Sequence, residues 1–164
     1  MRAPGHLASF EAALERLETP PDRALDLGTG TGAAAFALAR RFPHSEVVGV
    51  DLSRGMVEVA RRKTPPDLSE RIRFEVCDCS ALPFPDESFD LVALVNMIPF
   101  FDELARVLRP GGYAVFAFSR GPATPIYVPP SRLRSELARH GFSQFAEVSA
   151  CAGTALLARK AVSA

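Results

Sequence analysis

Apolar and polar residues alternate along this chain in blocks that predict strands and helices in turn. Five short segments rich in valine, leucine and alanine predict strands: residues 23–28, 46–51, 71–78, 89–96 and 113–119. Three segments between them have apolar residues at helical spacing: residues 32–42, 54–63 and 101–108. Because the strands are continuous apolar runs, they suit a parallel sheet that is covered on both faces. The pattern therefore predicts an α/β fold with one doubly wound, mostly parallel, Rossmann-like sheet.

The N-terminal region predicts one further helix. Apolar residues from Leu7 to Leu17 recur at helical spacing, which indicates an amphipathic helix within residues 1–20. Two adjacent prolines, Pro20 and Pro21, are expected to end it, because proline lacks the backbone donor that a helix needs. The chain is thus expected to place a helix before its first strand.

The C-terminal region predicts a different arrangement. Ser131 is expected to cap a helix that Gly141 ends, and apolar segments follow at residues 142–151 and 154–160. Strands joined by so short a link must be antiparallel. The chain is therefore predicted to form a single domain over residues 1–164 with a sheet of about seven strands. Its parts are the helix in residues 1–20, an α/β core in residues 23–119, and a C-terminal helix and antiparallel hairpin in residues 120–164.

Composition narrows the class of protein. The chain has 164 residues, 48% of them hydrophobic, which is enough for one core. Nineteen basic and nineteen acidic residues cancel, so no basic field favours nucleic acid as a partner. No apolar run approaches the length of a membrane span. Three cysteines, an odd number, suit a reducing compartment, and a cytoplasmic location is expected.

A glycine-rich segment, LDLGTGTGAAAF at residues 25–36, joins the first predicted strand to the first predicted helix. A doubly wound sheet binds ligands outside the carboxyl end of such a strand, beside the free amides of a helix N-terminus. The spacing also satisfies a dinucleotide fingerprint, with Gly28, Gly30 and Ala33 in its three positions. The alternative is that the glycines only form a tight turn between the strand and the helix. The loop alone therefore leaves its ligand open.

Acidic residues at the next two strand ends limit the chemical class of the ligand. Asp51 ends the second predicted strand, 19 residues after Gly32, where a carboxylate can accept hydrogen bonds from two ribose hydroxyls. Asp78 and Cys79 follow the third, where a carboxylate can accept from an adenine amino group while the next amide donates to the ring. Turn or cap roles are the alternatives for both aspartates. The pattern favours a ligand that contains adenosine.

Four segments occur in this order along the chain: DLGTGTG, VVGVDLSRGMVEVA, CDCSALPFPDESFD and ARVLRPGGYAVFAFS. Together they resemble class I S-adenosylmethionine-dependent methyltransferases, in particular those that act on small molecules. The resemblance covers residues 23–119 closely, and the C-terminal hairpin is similar to that family's last strands. It implies S-adenosylmethionine as the cofactor and a small molecule as the methyl acceptor.

The resemblance also implies roles for individual residues. Asp26 would help to hold the cofactor's ammonium group, whereas it would repel the pyrophosphate of a dinucleotide. Asp51 would bind the ribose. The other implied contacts are Gly28, Thr29, Gly30 and Gly32 around the methionine moiety, Leu52 and Met56 beside the adenosine, Asp78 and Cys79 on the adenine, and Asn96 at the end of the fourth strand.

The implied function is methyl transfer from S-adenosylmethionine to a small molecule. A cofactor-binding protein without transferase activity and a nucleotide-dependent oxidoreductase are the alternatives. Because methyl transfer needs mainly positioning, the sequence names no catalytic residue, and it predicts no metal. The acceptor is expected beside residues 96–101 or 120–132, where Tyr127 either lines the pocket or, as the favoured alternative, packs the loop onto the sheet. The N-terminal helix or the second subunit of a homodimer is expected to close the site.

The remaining reactive side chains have simpler interpretations. Cys77, Cys79 and Cys151 are expected to be buried thiols, because no histidine or second cysteine pair completes a metal site. His140 is expected to interact with the C-terminus of its helix. His6 is interpreted as a surface residue.

Overall fold

The computed structural model describes residues 5–162 and shows a seven-stranded sheet with helices on both faces. The strands are β1 (Arg23–Leu27), β2 (Glu46–Asp51), β3 (Ile72–Val76), β4 (Phe89–Val95), β5 (Leu108–Phe118), β6 (Phe142–Ala150) and β7 (Gly153–Lys160). The helices are α1 (Ala8–Leu14), α2 (Ala33–Arg41), α3 (Arg54–Lys63), α4 (Phe101–Val107) and α5 (Pro130–Arg139), with a short 3₁₀ turn at Gly121–Ala123. Within the described residues, every helix is too short or too polar to cross a bilayer.

The strand order is β3-β2-β1-β4-β5-β7-β6. Strands β1 to β5 run parallel, whereas β7 is antiparallel to both of its neighbours. This order confirms the predicted doubly wound sheet and its antiparallel hairpin. The chain moves outward from β1 to β3 and then returns to β4 on the other side of β1. The carboxyl ends of β1 and β4 therefore form the switch point where such sheets bind ligands.

Two apolar clusters, one on each face of the sheet, form the core. Helices α1, α2 and α3 pack on one face, and α4 and α5 pack on the other. Neighbouring residues along β1 alternate between the clusters: Ala24 belongs to the first, and Leu25 and Leu27 belong to the second. All three are nearly inaccessible to solvent. This two-sided burial explains why the strands are apolar without alternation.

The third strand is shorter than predicted. Strand β3 ends at Val76, and the amide of Cys77 still donates to the Asp51 carbonyl oxygen at 3.1 Å. The chain then turns, because the Asp78 carboxylate accepts hydrogen bonds from the amide and hydroxyl of Ser80. Asp78 therefore lies in a turn beyond the strand end.

The fifth strand is longer than predicted. It starts at Leu108, directly after α4, and includes a proline and two glycines that suggest a loop in the sequence. Leu108 pairs with Phe89 but Tyr113 pairs with Leu91, so the extra residues form a bulge. A side chain at Gly112 would lie 2.8 Å from the Asp90 carbonyl oxygen. The glycine is required because neighbouring backbone approaches so closely.

The helix ends also differ from the predictions. Helix α1 ends at Leu14, well before the two prolines, and short turns follow it. Helix α5 starts at Pro130 without any side-chain cap, so the predicted capping role of Ser131 is wrong. A proline in the first position of a helix needs no donor, and its fixed φ suits the helix. Gly141 follows the last turn of α5, as predicted.

Candidate functional site

A cavity of about 500 Å³ lies at the carboxyl ends of β1 and β4. Residues from five separate parts of the chain form its walls. Five of them are predicted site residues: Asp26, Gly28, Thr29, Gly30 and Asn96. Other walls come from the segment before α1, the end of β5 and the turn between β6 and β7: His6, Leu7, Ser119, Arg120, Cys151 and Ala152. The cavity thus lies where a doubly wound sheet binds its ligand.

Neighbouring side chains leave no room for a side chain at two positions of the glycine loop. A side chain at Gly28 would overlap the Met97 side chain. A side chain at Gly32, which starts α2, would lie 2.9 Å from a ring carbon of Phe74 and 3.0 Å from one of Phe36. Gly28 lines the cavity but Gly32 does not. Gly32 therefore serves the turn and its packing.

Asp26 is a buried carboxylate on the cavity wall. It is 1% exposed, and the Thr29 hydroxyl donates to its Oδ2 at 2.7 Å. Thr29 is fixed in turn, because its amide donates to the Val50 carbonyl oxygen at 2.8 Å. Charges interact strongly in such a site, since little water screens them. The cavity wall therefore carries a buried carboxyl group that, when ionised, can attract a positively charged group.

Asp51 connects the end of β2 to the glycine loop. Its Oδ2 accepts from the Gly30 amide at 2.9 Å, and its Oδ1 accepts from the Ser53 amide at 2.9 Å. Ser53 caps α3, as predicted, through the bond from the Met56 amide to its hydroxyl. An ionised carboxylate has about four acceptor sites, so two remain for a ligand. Asp51 is half-buried beside the cavity wall.

The surface beyond Asp51 is open and apolar. Leu52 is 73% exposed and Met56 is 45% exposed. Asp78, which lies on the neighbouring loop, is exposed, and its bonds with Ser80 lower the pKa of its carboxyl. Exposed apolar side chains beside a charged acceptor suit a flat, amphipathic ligand such as adenine.

Two thiols at the end of the third strand, Cys77 and Cys79, are protonated at neutral pH. Burial raises the pKa of the Cys77 thiol to about 11. Burial is also the largest cause of the raised pKa of Cys79, whose thiol forms a hydrogen bond with the Gly28 backbone. Since the thiolate is the reactive form, both groups are inert at pH 7. No set of three or more histidine, cysteine, aspartate or glutamate residues within 5–162 is arranged to hold a metal ion.

Asn96 and Ser119 join the ends of β4 and β5 at the cavity. The Asn96 side-chain amide donates to the Ser119 hydroxyl at 3.0 Å, and the Ser119 amide donates to the Asn96 side-chain oxygen at 2.9 Å. Asn96 has a φ of 53°, which asparagine tolerates better than most residues. The pair fixes the backbone of two strands where they meet the ligand site.

This architecture has a recognised sequence signature. A family profile described as a methyltransferase domain matches residues 24–112, more than half of the chain. The chain belongs to the class I S-adenosylmethionine-dependent methyltransferases. The matched region includes β1 to β4, α4 and the start of β5, and with them all eleven predicted site residues.

Individual methyltransferases are similar to this chain over part of their length. A ubiquinone/menaquinone biosynthesis C-methyltransferase of Geobacter sulfurreducens is 40% identical over 114 residues, which cover 64% of this chain and 44% of the relative. A malonyl-[acyl-carrier protein] O-methyltransferase of Halorhodospira halophila is 41% identical over 121 residues, which cover 68% and 40%. The chain therefore spans less than half the length of these two curated relatives.

Solved structures share the fold. The [4+2]-cyclase SpnF superposes with a TM-score of 0.77 at 22% sequence identity, over 93% of this chain and 80% of that protein. A methyltransferase fold can thus carry a protein named for another reaction. The fold alone does not identify the acceptor.

The predicted cofactor residues of this chain fall into two groups. One group lines the cavity, as described above. The other lies outside it: Gly32, Asp51, Leu52, Met56, Asp78 and Cys79. Asp51 and Cys79 still contact the glycine loop, through Gly30 and Gly28.

The structure corrects two predictions about single residues and confirms a third. His6 is half-buried and lines the cavity, so its interpretation as a surface residue is wrong. Cys151 is exposed, contrary to the expectation of a buried thiol. Tyr127 packs against Phe118, with ring centroids 5.1 Å apart, and it does not line the cavity. The packing alternative for Tyr127 is thus the correct one.

Sequence reasoning predicted only part of the far wall of the cavity, because it expected the N-terminal helix to close the site but gave no role to His6 or to the turn at Cys151 and Ala152. Helix α1 packs beside β5, β6 and β7, and the residues before it, Gly5 to Leu7, reach the cavity. The turn at Cys151 and Ala152 lies there because β7 runs antiparallel to β5 and so begins at the carboxyl edge. The position of this turn could have been predicted from the sequence. A hairpin that follows a parallel strand must place its turn at one of the two edges where strands end.

Proposed function

We propose that this chain binds S-adenosylmethionine along the carboxyl edge of β1, β2 and β3 and transfers its methyl group to a small molecule. The observation that carries the proposal is the line of three carboxylates, Asp26, Asp51 and Asp78, at or just beyond these three strands. Asp26 lies inside the cavity, where it would repel a pyrophosphate and attract an ammonium group. This charge favours an amino-acid-bearing nucleoside over a dinucleotide.

The open surface beyond the cavity fits the adenosine half of the cofactor. Two acceptor sites of Asp51 are available for the ribose hydroxyls. Leu52 and Met56 would pack on the adenine faces, since both are exposed and apolar. Asp78 and the backbone amide of Cys79 would recognise the adenine edge.

The cavity fits the methionine half of the cofactor. Gly28, Thr29 and Gly30 would let the backbone approach the ligand closely, and Asp26 would hold its ammonium group. Asn96 would contact the same half from the end of β4, where its bonds to Ser119 hold it in place. Gly32 would act indirectly by forming the turn into α2.

The protein's part in the reaction is to position the two substrates. When bound, the cofactor supplies a methyl group on a positively charged sulfur, which acts as the leaving group in an in-line displacement. A site that aligns the acceptor atom with this methyl group can reach effective concentrations of about 10⁵ M or more. The two thiols beside the glycine loop, Cys77 and Cys79, are protonated at pH 7, so neither is offered as a general base. No catalytic residue is assigned.

The acceptor is proposed only as a small molecule. One relative is named as a C-methyltransferase and another as an O-methyltransferase, so the accepting atom does not carry over to this chain. A cytoplasmic location, a homodimer and the exclusion of nucleic acid stay predictions from the sequence.

Isothermal titration with S-adenosylmethionine, S-adenosylhomocysteine and NAD tests the proposal. We expect the first two to bind and NAD not to bind. Asp51→Ala should weaken binding of S-adenosylhomocysteine by roughly 1.5 to 3 kcal/mol, the range for hydrogen bonds to a charged group. Asp67→Ala is the matched control, because Asp67 is a surface carboxylate paired with Arg40.

Two results would contradict the proposal. Tighter binding of NAD would favour the oxidoreductase alternative, and an unchanged dissociation constant in Asp51→Ala would remove Asp51 from the site. A screen of small molecules for transfer of a labelled methyl group then separates a transferase from a protein that only binds the cofactor.

A further inference from the structure

We propose that Arg120 binds an anionic group, such as a carboxylate, on the methyl acceptor. This inference rests on the proposed function, because it names the chemical class of the methyl acceptor. Arg120 follows the end of β5 and lines the same cavity as Asp26 and Asn96. It lies within residues 120–132, one of the two regions in which the resemblance to the family predicts the acceptor.

The backbone of Arg120 is held in place. Its amide donates to the Thr124 hydroxyl at 3.2 Å, and Thr124 is itself buried. The preceding residue, Ser119, is tied to Asn96 by the bonds described above. Arg120 thus starts from a fixed point on the cavity wall, and only its side chain is free to adjust to a ligand.

The side chain of Arg120 is exposed and uncommitted. Within residues 5–162 its guanidinium makes no hydrogen bond or ion pair. Arg106 shows the opposite situation, since its guanidinium donates to Glu103 at 2.7 Å and to the Phe84 carbonyl oxygen at 2.8 Å. An arginine used for structure is saturated in this way, whereas Arg120 retains all of its donors for a ligand.

The charges around the cavity favour opposite groups at its two ends. Asp26 is the only carboxylate among its described lining residues, and Thr29 already bonds to it. Asp26 therefore suits the cofactor's ammonium group, while Arg120 suits an anion. Guanidinium binds carboxylate and phosphate groups through paired hydrogen bonds, which fix orientation as well as affinity. An acceptor held in this way would be oriented toward the methyl group.

Apolar residues share the cavity with Arg120. Leu7, Val95 and Ala152 line it together with the polar groups. A small molecule with an apolar body and one anionic end would match this combination. Benzoate is a suitable probe, and benzamide is its neutral counterpart of almost the same shape.

Binding of the two probes to the protein saturated with S-adenosylhomocysteine tests the proposal, with ligand-observed NMR titration as the readout. We expect benzoate to bind more tightly than benzamide, and Arg120→Gln to weaken benzoate binding about tenfold or more while leaving benzamide unchanged. Arg120→Lys should retain part of the preference, because it keeps the charge but loses the paired geometry. Arg132→Gln is the matched control, since Arg132 is an exposed arginine outside the cavity.

Three results would overturn the proposal. They are equal binding of the two probes by the unaltered protein, the absence of benzoate binding, and an equal loss in Arg132→Gln. A fourth would reassign the residue: if Arg120→Gln weakens S-adenosylhomocysteine instead, Arg120 holds the cofactor's own carboxylate. If S-adenosylhomocysteine fails to bind the unaltered protein, the proposed function fails, and the same probe titrations without it still decide the role of Arg120.

Discussion

The two halves of the candidate site are built in different ways. The half at β1 and β4, called here the enclosed half, keeps its carboxylate out of water, since Asp26 is 1% exposed and Thr29 is 5% exposed, although Asn96 and Arg120 on the same cavity are exposed. The half at β2 and β3 is open, and Leu52 is 73% exposed. The enclosed half takes its walls from distant parts of the chain, whereas the open half comes from short loops after single strands.

This difference predicts unequal contributions to binding. A charge in the enclosed half acts with little screening, so its interaction with a ligand is strong. An exposed acceptor in the open half, such as Asp78, competes with water, so each of its hydrogen bonds contributes less than those of the buried Asp26 or of the half-buried Asp51, which bonds to the glycine loop. We therefore expect the enclosed half to provide most of the affinity and the open half to provide recognition of the adenine.

The largest effect is expected where the two halves meet, at Gly32. It has a φ of 95° and lies between the rings of Phe36 and Phe74, the second of which belongs to β3. Gly32→Ala should lower the free energy of unfolding by roughly 2 to 4 kcal/mol, because the unfavourable φ and the overlap with the rings add together. Urea denaturation measures this change, and affinity for S-adenosylhomocysteine should fall with it.

Gly141→Ala is the matched control for this variant. Gly141 has a φ of 87° but nothing within 4 Å of the position that a side chain would occupy. Its substitution should cost about 1 kcal/mol from the backbone conformation alone. Equal losses in the two variants would show that the rings of Phe36 and Phe74 do not restrict the loop.

The next largest effect is a loss of cofactor affinity, and it compares one carboxylate from each half of the site. Asp26→Asn should weaken binding of S-adenosylhomocysteine by roughly 1.5 to 3 kcal/mol, because it removes the buried charge that faces the ammonium group. Asp78→Asn should cause a clearly smaller loss, because Asp78 is exposed to water. Isothermal titration measures both, with thermal denaturation as the check on folding. A loss in Asp78→Asn as large as that in Asp26→Asn would reverse the assignment of the two halves.

The open half was largely predictable from the sequence. Strand β2 has the predicted bounds, Ser53 caps α3, and Asp51 lies at the strand end as expected. Each of these features depends on residues that are close together in the chain. The prediction that the third strand extends to Asp78 is wrong for an equally local reason. The strand ends at Val76, and the Asp78 carboxylate accepts a hydrogen bond from the Ser80 amide in the turn that follows.

The enclosed half was only partly predictable, because long-range packing completes it. The glycine loop was evident from its own sequence, but the position of His6 depends on how α1 packs against β5, β6 and β7. The bulge in β5 depends on how Leu108 and Tyr113 pair with β4. No local pattern contains these relationships, so the sequence suggests a surface histidine and a loop instead.

The smallest effect is expected on the side of the sheet that carries α4 and α5, at His140. Its Nδ1 lies 2.8 Å from the Glu136 carbonyl oxygen, and its Nε2 lies 2.7 Å from an Asp102 carboxylate oxygen. Both partners are acceptors, so both bonds are made only when the ring is protonated. The bond to Glu136, and then the bond to Asp102, raise the pKa of His140.

The raised pKa gives this part of the protein a pH dependence that the site should lack. Since the pKa is higher in the folded state, the stabilisation is fully present below about pH 6.5 and is lost as the pH rises through the folded pKa. Its size should be at most about 1 kcal/mol, as for a charged group at a helix C-terminus. Urea denaturation across this range should show the dependence in the unaltered protein and not in His140→Gln, while both bind S-adenosylhomocysteine equally. An unchanged pH dependence in His140→Gln would show that another group carries it, and a loss of affinity would show that this region is coupled to the enclosed half.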